Sequence, residues 1–176
     1  MTKIDNNGKE MLDGNRFLVW PSSANQKGVD AGLQALMVMA MDAGAEMALA
    51  LEDKDLAKKC QEASRKLKRY VPDHNQSKQG ASLMAIAGLM DAKKADKEVI
   101  RVGGSQKYST FYGYYMLEAL AKAGNYQEAL DRISEYWGAM LDLGATTFWE
   151  DFNIEWTKNA GRIDELVPEG KVDVHG

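Results

Sequence analysis

The chain has 176 residues, of which 45% are hydrophobic and 27% charged, and a formal net charge of -4. That length and balance give one domain with a sizeable core and exclude a disordered chain. No basic stripe marks a nucleic-acid face: Lys58, Lys59, Arg65, Lys66, Lys68 and Arg69 read as the solvated side of a helix that also carries Glu62.

The single cysteine, Cys60, excludes an intrachain disulfide. With only two histidines, His74 and His175, no metal site has convincing ligand spacing, and no cofactor is implied. Residues 1–16 are polar at their start, lack the apolar stretch of a secretory leader, and are expected to be a loosely ordered N-terminal segment. The richest apolar run, Leu33 to Leu51, is broken by Gln34, Asp42, Gly44 and Glu46. It fits a buried helix better than a membrane span, so no membrane partner is expected and the chain as written stays in the cytoplasm.

Trp20-Pro21-Ser22-Ser23 forms a loop ahead of the first helix. Its Trp20 either stacks on a sugar or staples the helix that follows. The first helix shows the 3-4 spacing of one face in Val29, Leu33, Leu36, Ala40, Gly44, Met47 and Leu51. Met37, Met39 and Met41 widen that face, so cover on more than one side is expected. Asp53 caps a second helix, whose inward face reads Leu56, Cys60, Ala63, Leu67 and Tyr70 and which ends at Pro72. The short connection makes the two helices antiparallel neighbours.

Ser82 to Met90 is expected to be a third helix, and Lys93 to Val102 a short helix or connector. After the break at Gly103-Gly104-Ser105, a helix with Tyr112, Tyr115 or Met116, Ala119 and Leu120 on one face ends at Gly124. A facing helix follows with Ala129, Leu130, Ile133, Tyr136, Trp137, Met140 and Leu141. The tail after Asp151 is irregular. The fold class is all-α, built of antiparallel helical hairpins.

Chemistry concentrates in Gly144-Ala145-Thr146-Thr147-Phe148-Trp149-Glu150-Asp151-Phe152, where acids and hydroxyls stand among aromatics. Aromatic faces stack on sugar rings and carboxylates bind hydroxyls or move protons. Glu150, beside Trp149, is the sharpest candidate for an acid or base. Asp151 is the second acid, pointing elsewhere than its neighbour. Thr146 and Thr147 either bind a substrate hydroxyl or cap a short helix near Phe148. In the run Tyr108, Phe111, Tyr112, Tyr114, Tyr115 some rings face the core, and one or two at the helix start, Tyr112 among them, line a cleft.

Trp20-Pro21-Ser22-Ser23, Ala31-Gly32-Leu33-Gln34-Ala35-Leu36, Tyr112-Gly113-Tyr114-Tyr115 and the block from Tyr136-Trp137-Gly138 to Phe148-Trp149-Glu150 together resemble the α-L-rhamnosidase family of glycoside hydrolases. Gly161 to Pro168 resembles a subgroup of it, and the likeness runs from about residue 17 to residue 176. The resemblance implies an (α/α)6 six-hairpin barrel, of which residues 17–176 supply about half, and an inverting mechanism with two well-separated carboxylates. It implies that Glu150 is the general base and that Trp20 and Trp149 lie near the sugar. The family's acidic, Gly-rich segment, which bears the general acid, has no counterpart in this sequence, and neither has its later His-bearing segment. Phe17-Leu18-Val19 also stands where relatives often carry Asp.

The expectation is a rhamnosidase-like fragment, weakly active or inactive alone, whose partner is a rhamnoside or related carbohydrate. Its unpartnered helix faces are expected to drive self-association. The alternatives are a non-catalytic carbohydrate-binding remnant or a helical-repeat scaffold. The segment Leu120 to Leu130 has a repeat-like look, but no second copy stands at a fixed period.

Overall fold

The structure, a computed structural model, describes residues 3–167 and 169–171. Pro168 and His175 lie outside the described residues. A 3-10 turn at Trp20–Ser22 leads into α1 (Gln26–Ala50), α2 (Lys54–Leu67), α3 (Lys78–Ile86) and α4 (Ala92–Ala95), the last running on as a π turn, Asp96–Ile100. After a loop come α5 (Gly113–Lys122) and then α6 (Tyr126–Arg132), which passes through a π turn, Ile133–Trp137, into α7 (Gly138–Asp142). A last 3-10 turn spans Ile154–Lys158. No strand forms among the described residues; Ile4 and Glu10 make an isolated bridge, and the all-α expectation holds.

Local chemistry explains the helix starts. Asn25, Asp53, Ser77 and Asp91 each accept a hydrogen bond from a backbone N–H in the first turn of the following helix. α1 is buried almost all round through Val38, as the methionine pattern implied. Beyond that only Ala45 and Ala48 stay fully inside, whereas Met47, Leu49 and Leu51 are exposed. α1 is long and apolar enough to cross a membrane by length and composition.

In α2 the inward face differs from the expected one. Ala57, Ser64 and Leu67 meet the core, while Leu56, Cys60 and Ala63 line an open groove with Met41 and Ile4. Of the expected face, Leu67 is fully buried, whereas Leu56, Cys60 and Ala63 lie beside the buried line. α3 starts at Lys78 rather than near Ser82, because its first turn buries polar side chains, Lys78 and Gln79, that carry no apolar signal. In the last helix the π turn inserts an extra residue. Tyr136 and Met140 stay inward, and Leu130, Ile133 and Leu141, expected on the inner face, are exposed.

The segment expected to be loosely ordered is pinned where it is described. Gln34 of α1 donates to the carbonyls of Gly8 and Leu67, both at 2.9 Å, and accepts from the Glu10 N–H at 2.8 Å. Glu10, 1% exposed, pairs with Arg16, which also holds Asp30 at 2.6 Å. A buried glutamine with three partners fixes the chain that crosses it.

Two apolar clusters share α3 as a wall. One packs Leu18, Val29, Ala35, Val38, Leu67 and Leu83 between α1, α2 and α3. The other packs Tyr108, Met116, Tyr136, Met140, Trp149 and Phe152 around α5 and α7.

Candidate functional site: an aromatic cleft at the loop ends

Three irregular segments meet at one end of the helices: the Trp20–Ser22 turn, the loop 103–110, and the stretch from Asp151 to the Ile154–Lys158 turn. Between them lies a cleft of about 260 Å³ lined by Trp20, Lys107, Tyr108, Asp151, Asn153 and Trp156, among others. Trp20 is 62% exposed and touches Phe17 edge-on at 5.1 Å; Trp156 is partly exposed and packs edge-on against Phe152 at 6.1 Å. Two indoles on a cleft that also holds a carboxylate and an amide suit a ring with one apolar face and a rim of hydroxyls.

The walls are braced. Gly103, at φ +71, turns the chain into the loop. Ser105 donates to Glu135 at 2.6 Å, and Glu135 pairs with Arg132, which also meets Glu128 at 3.1 Å. Gln79 donates to the Lys107 carbonyl at 2.9 Å, and Gln106 donates to Glu155 at 3.0 Å, so the loop is tied both to α3 and to the last turn. Beneath it, the Lys78 ammonium donates to the Gly104 carbonyl at 2.5 Å and lies 5.1 Å from the Tyr108 ring centroid. Burial, foremost, pulls the Lys78 pKa down to about 8, with the Arg132 charge adding to the shift. Burial pushes the Tyr108 and Tyr136 hydroxyls well above the ordinary tyrosine range. Tyr136 donates to the Phe152 carbonyl at 2.6 Å and so fixes the backbone next to Asp151. The Tyr108 hydroxyl has no hydrogen-bond partner among the described residues.

The structure brings together only part of the residue set expected from sequence. Trp20 and Asp151 line the cleft. Glu150 is exposed on the same loop, next to Asp151, and is not in the cleft's lining. Trp149, expected near the sugar, is buried instead. It is 6% exposed and its ring packs into the second core, 5.6 Å from Phe152, so it neither offers a free face to a sugar nor shields Glu150. Tyr112, also expected to line a cleft, is half-buried against the first core, edge-on to Phe111 and tilted against Tyr115, and is not in the lining of this cleft. Burial raises its hydroxyl pKa. Thr146 and Thr147 cap no helix. They line a separate apolar notch with Trp137, Leu141 and Phe148.

Sequence reasoning missed Lys107, Tyr108 and Trp156 as cleft residues. Trp156 carried a signal, an indole in an irregular tail; Lys107 carried none, since its role comes from a left-handed backbone at φ +62. Among the described residues no group of three His, Cys, Asp or Glu side chains stands close enough to hold a metal ion. No protein-family model matches the chain, and no curated protein or solved structure matches it.

Proposed function

We propose that the chain is the general-base part of an inverting α-L-rhamnosidase-like glycoside hydrolase, built on half of an (α/α)6 barrel. The observation that supports this reading is the loop after the last hairpin, whose Asp151 lines a cleft walled by Trp20 and Trp156 and whose Glu150 is exposed beside it in the chain. In the reaction a water gives its proton to the base and its oxygen attacks the anomeric carbon. The bond to the leaving oxygen breaks on the opposite face, and that oxygen takes a proton from a general acid. Glu150 is assigned the base role, Asp151 a hydroxyl contact, and Trp20 the stacking face. No residue of this chain is assigned the acid, so the chain alone binds but does not turn over.

Calorimetry tests the assignment. L-Rhamnose gives saturable binding that Trp20→Ala abolishes, and aryl rhamnosides are cleaved no faster than in buffer. Absence of any saturable rhamnose binding overturns the reading. Turnover that Glu150→Gln abolishes overturns the missing-acid part of it.

A second reading, a carbohydrate-binding protein without catalysis, is favoured by the burial of Trp149 and the position of Glu150 outside the cleft lining. It predicts rhamnose binding indifferent to Glu150→Gln. Exposed Met47, Leu49, Leu51 and Leu56 near the α1–α2 turn support the self-association that unpartnered faces imply.

A further inference from the structure

The aromatic cleft does not end at Lys107. A second cleft of about 410 Å³ continues from it, and the two share Pro21 and Lys107 in their linings. Its character is different. The first is walled by indoles; the second is lined by Asn25, Asn75, Gln76, Lys78, Gln79 and Lys107, with no aromatic ring and no carboxylate.

The charges in this second cleft are of one sign. Lys107 is exposed and has no ion-pair partner among the described residues. Lys78, 4% exposed, lies in the floor with its ammonium on a carbonyl and a tyrosine ring rather than on a carboxylate. The N-termini of α1 and α3 also meet here, through Asn25, Ser77, Lys78 and Gln79, and helix N-termini favour negative charge. The neighbouring carboxylate, Asp73, is already engaged by Lys27 at 3.0 Å and by the Asn75 N–H at 2.8 Å. Tyr108, 1% exposed, belongs to the lining of the aromatic cleft and not of the polar one.

We propose that the two clefts form one binding groove for a disaccharide unit, in which the polar cleft takes a hexuronate whose carboxylate pairs with Lys107. This inference rests on the carbohydrate reading of the aromatic cleft. One free surface cation with a second held in the floor matches the single charge of a carboxylate; the Gln76 amide supplies a donor and an acceptor for ring hydroxyls, and Asn75, whose Nδ2 donates to Asn25 at 3.0 Å, supplies its Oδ1. A doubly charged phosphate finds no bidentate guanidinium here, since Arg132 is taken up by Glu128 and Glu135.

The test is a titration of the whole chain, followed by backbone amide shifts, with methyl β-D-glucuronide, methyl β-D-glucoside, sodium acetate and, separately, L-rhamnose. The glucuronide shifts the amides of Gln76 and Lys107 and binds about tenfold more tightly than the glucoside, the scale of one charge-assisted hydrogen bond. Its affinity falls between about 0.05 and about 0.5 M salt. Lys107→Glu removes that advantage. Lys107→Asn, which tolerates the left-handed backbone, removes it too and keeps the loop in shape. Equal binding of glucuronide and glucoside, acetate binding as tight as the glucuronide, or no glucuronide shifts overturns the proposal. Rhamnose binding without glucuronide binding sinks the acidic subsite and leaves the rhamnoside reading standing. Glucuronide binding without rhamnose binding does the reverse.

Discussion

The two apolar clusters on either side of α3 are built in different ways. The N-terminal one is made of small and aliphatic side chains, Val29, Ala31, Ala35, Val38 and Leu83 among them, and brings backbones close together. A Cβ on Gly80 would lie 2.8 Å from the Gly28 carbonyl oxygen, so α1 and α3 touch nearly backbone to backbone. The C-terminal cluster is aromatic, with Tyr108, Tyr136, Trp149 and Phe152 meeting at 5.3 to 5.9 Å. Two π turns lie beside it, and the hydroxyls of Tyr108 and Ser109 have no hydrogen-bond partner among the described residues. The aromatic cluster also forms one wall of the cleft through Tyr108 and Phe152, and its packing is the less regular of the two.

That contrast can be broken by substitution. The largest effect is expected in the aromatic core: Phe152→Ala removes a ring that is 1% exposed and touches Tyr136, Trp149 and Trp156, at a cost of about 3–5 kcal/mol in chemical denaturation. Next comes the tight helix contact. Gly80→Ala drives a methyl into the Gly28 carbonyl, and overpacking of about 1–3 kcal/mol outweighs the ~1 kcal/mol that alanine gains in a helix. The net loss is visible as a lower melting temperature. Tyr136→Phe keeps the ring and deletes one donor, leaving the Phe152 carbonyl unpaired; about 1–2 kcal/mol is lost and the Asp151 loop loosens in hydrogen exchange.

The smallest effect is in pH dependence. Lys78 titrates near 8 in the folded chain, below the ordinary lysine value of 10.5. Below pH 8 both folded and unfolded chains hold the proton, and the folded state bears the full cost of burying the charge. Between pH 8 and 10.5 the unfolded chain binds more protons, so stability rises with pH across that window. Lys78→Met flattens the rise, which urea midpoints measured at a series of pH values would reveal.

How far the sequence foretold the molecule differs between the same two regions. The α1 and α2 helices, the Asp53 cap and the end of α5 at Gly124 are local features, set by periodicity and by single capping or left-handed residues, and they were legible. Which side of α2 meets the core was not, because Leu56-Cys60-Ala63 is as apolar as the line beside it that α1 covers. In the aromatic region, the sequence singled out Trp20 and Asp151, which line one cleft, together with Trp149 and Glu150, which do not. It could not say that Trp149 turns inward while Asp151 lines the cleft, since a one-residue change of backbone direction decides it. Nor could it show Trp20 and Trp156 across one cleft, a contact between segments more than a hundred positions apart.

The four tryptophans separate these claims in one measurement, because each gives its own indole N–H resonance. On titration with L-rhamnose, the signals of Trp20 and Trp156 are expected to move together and saturate at one affinity, while those of the core residue Trp149 and of Trp137 stay in place. Rhamnose that moves Trp149 and leaves Trp20 and Trp156 unchanged, or that moves none of the four, contradicts an aromatic sugar cleft at the loop ends.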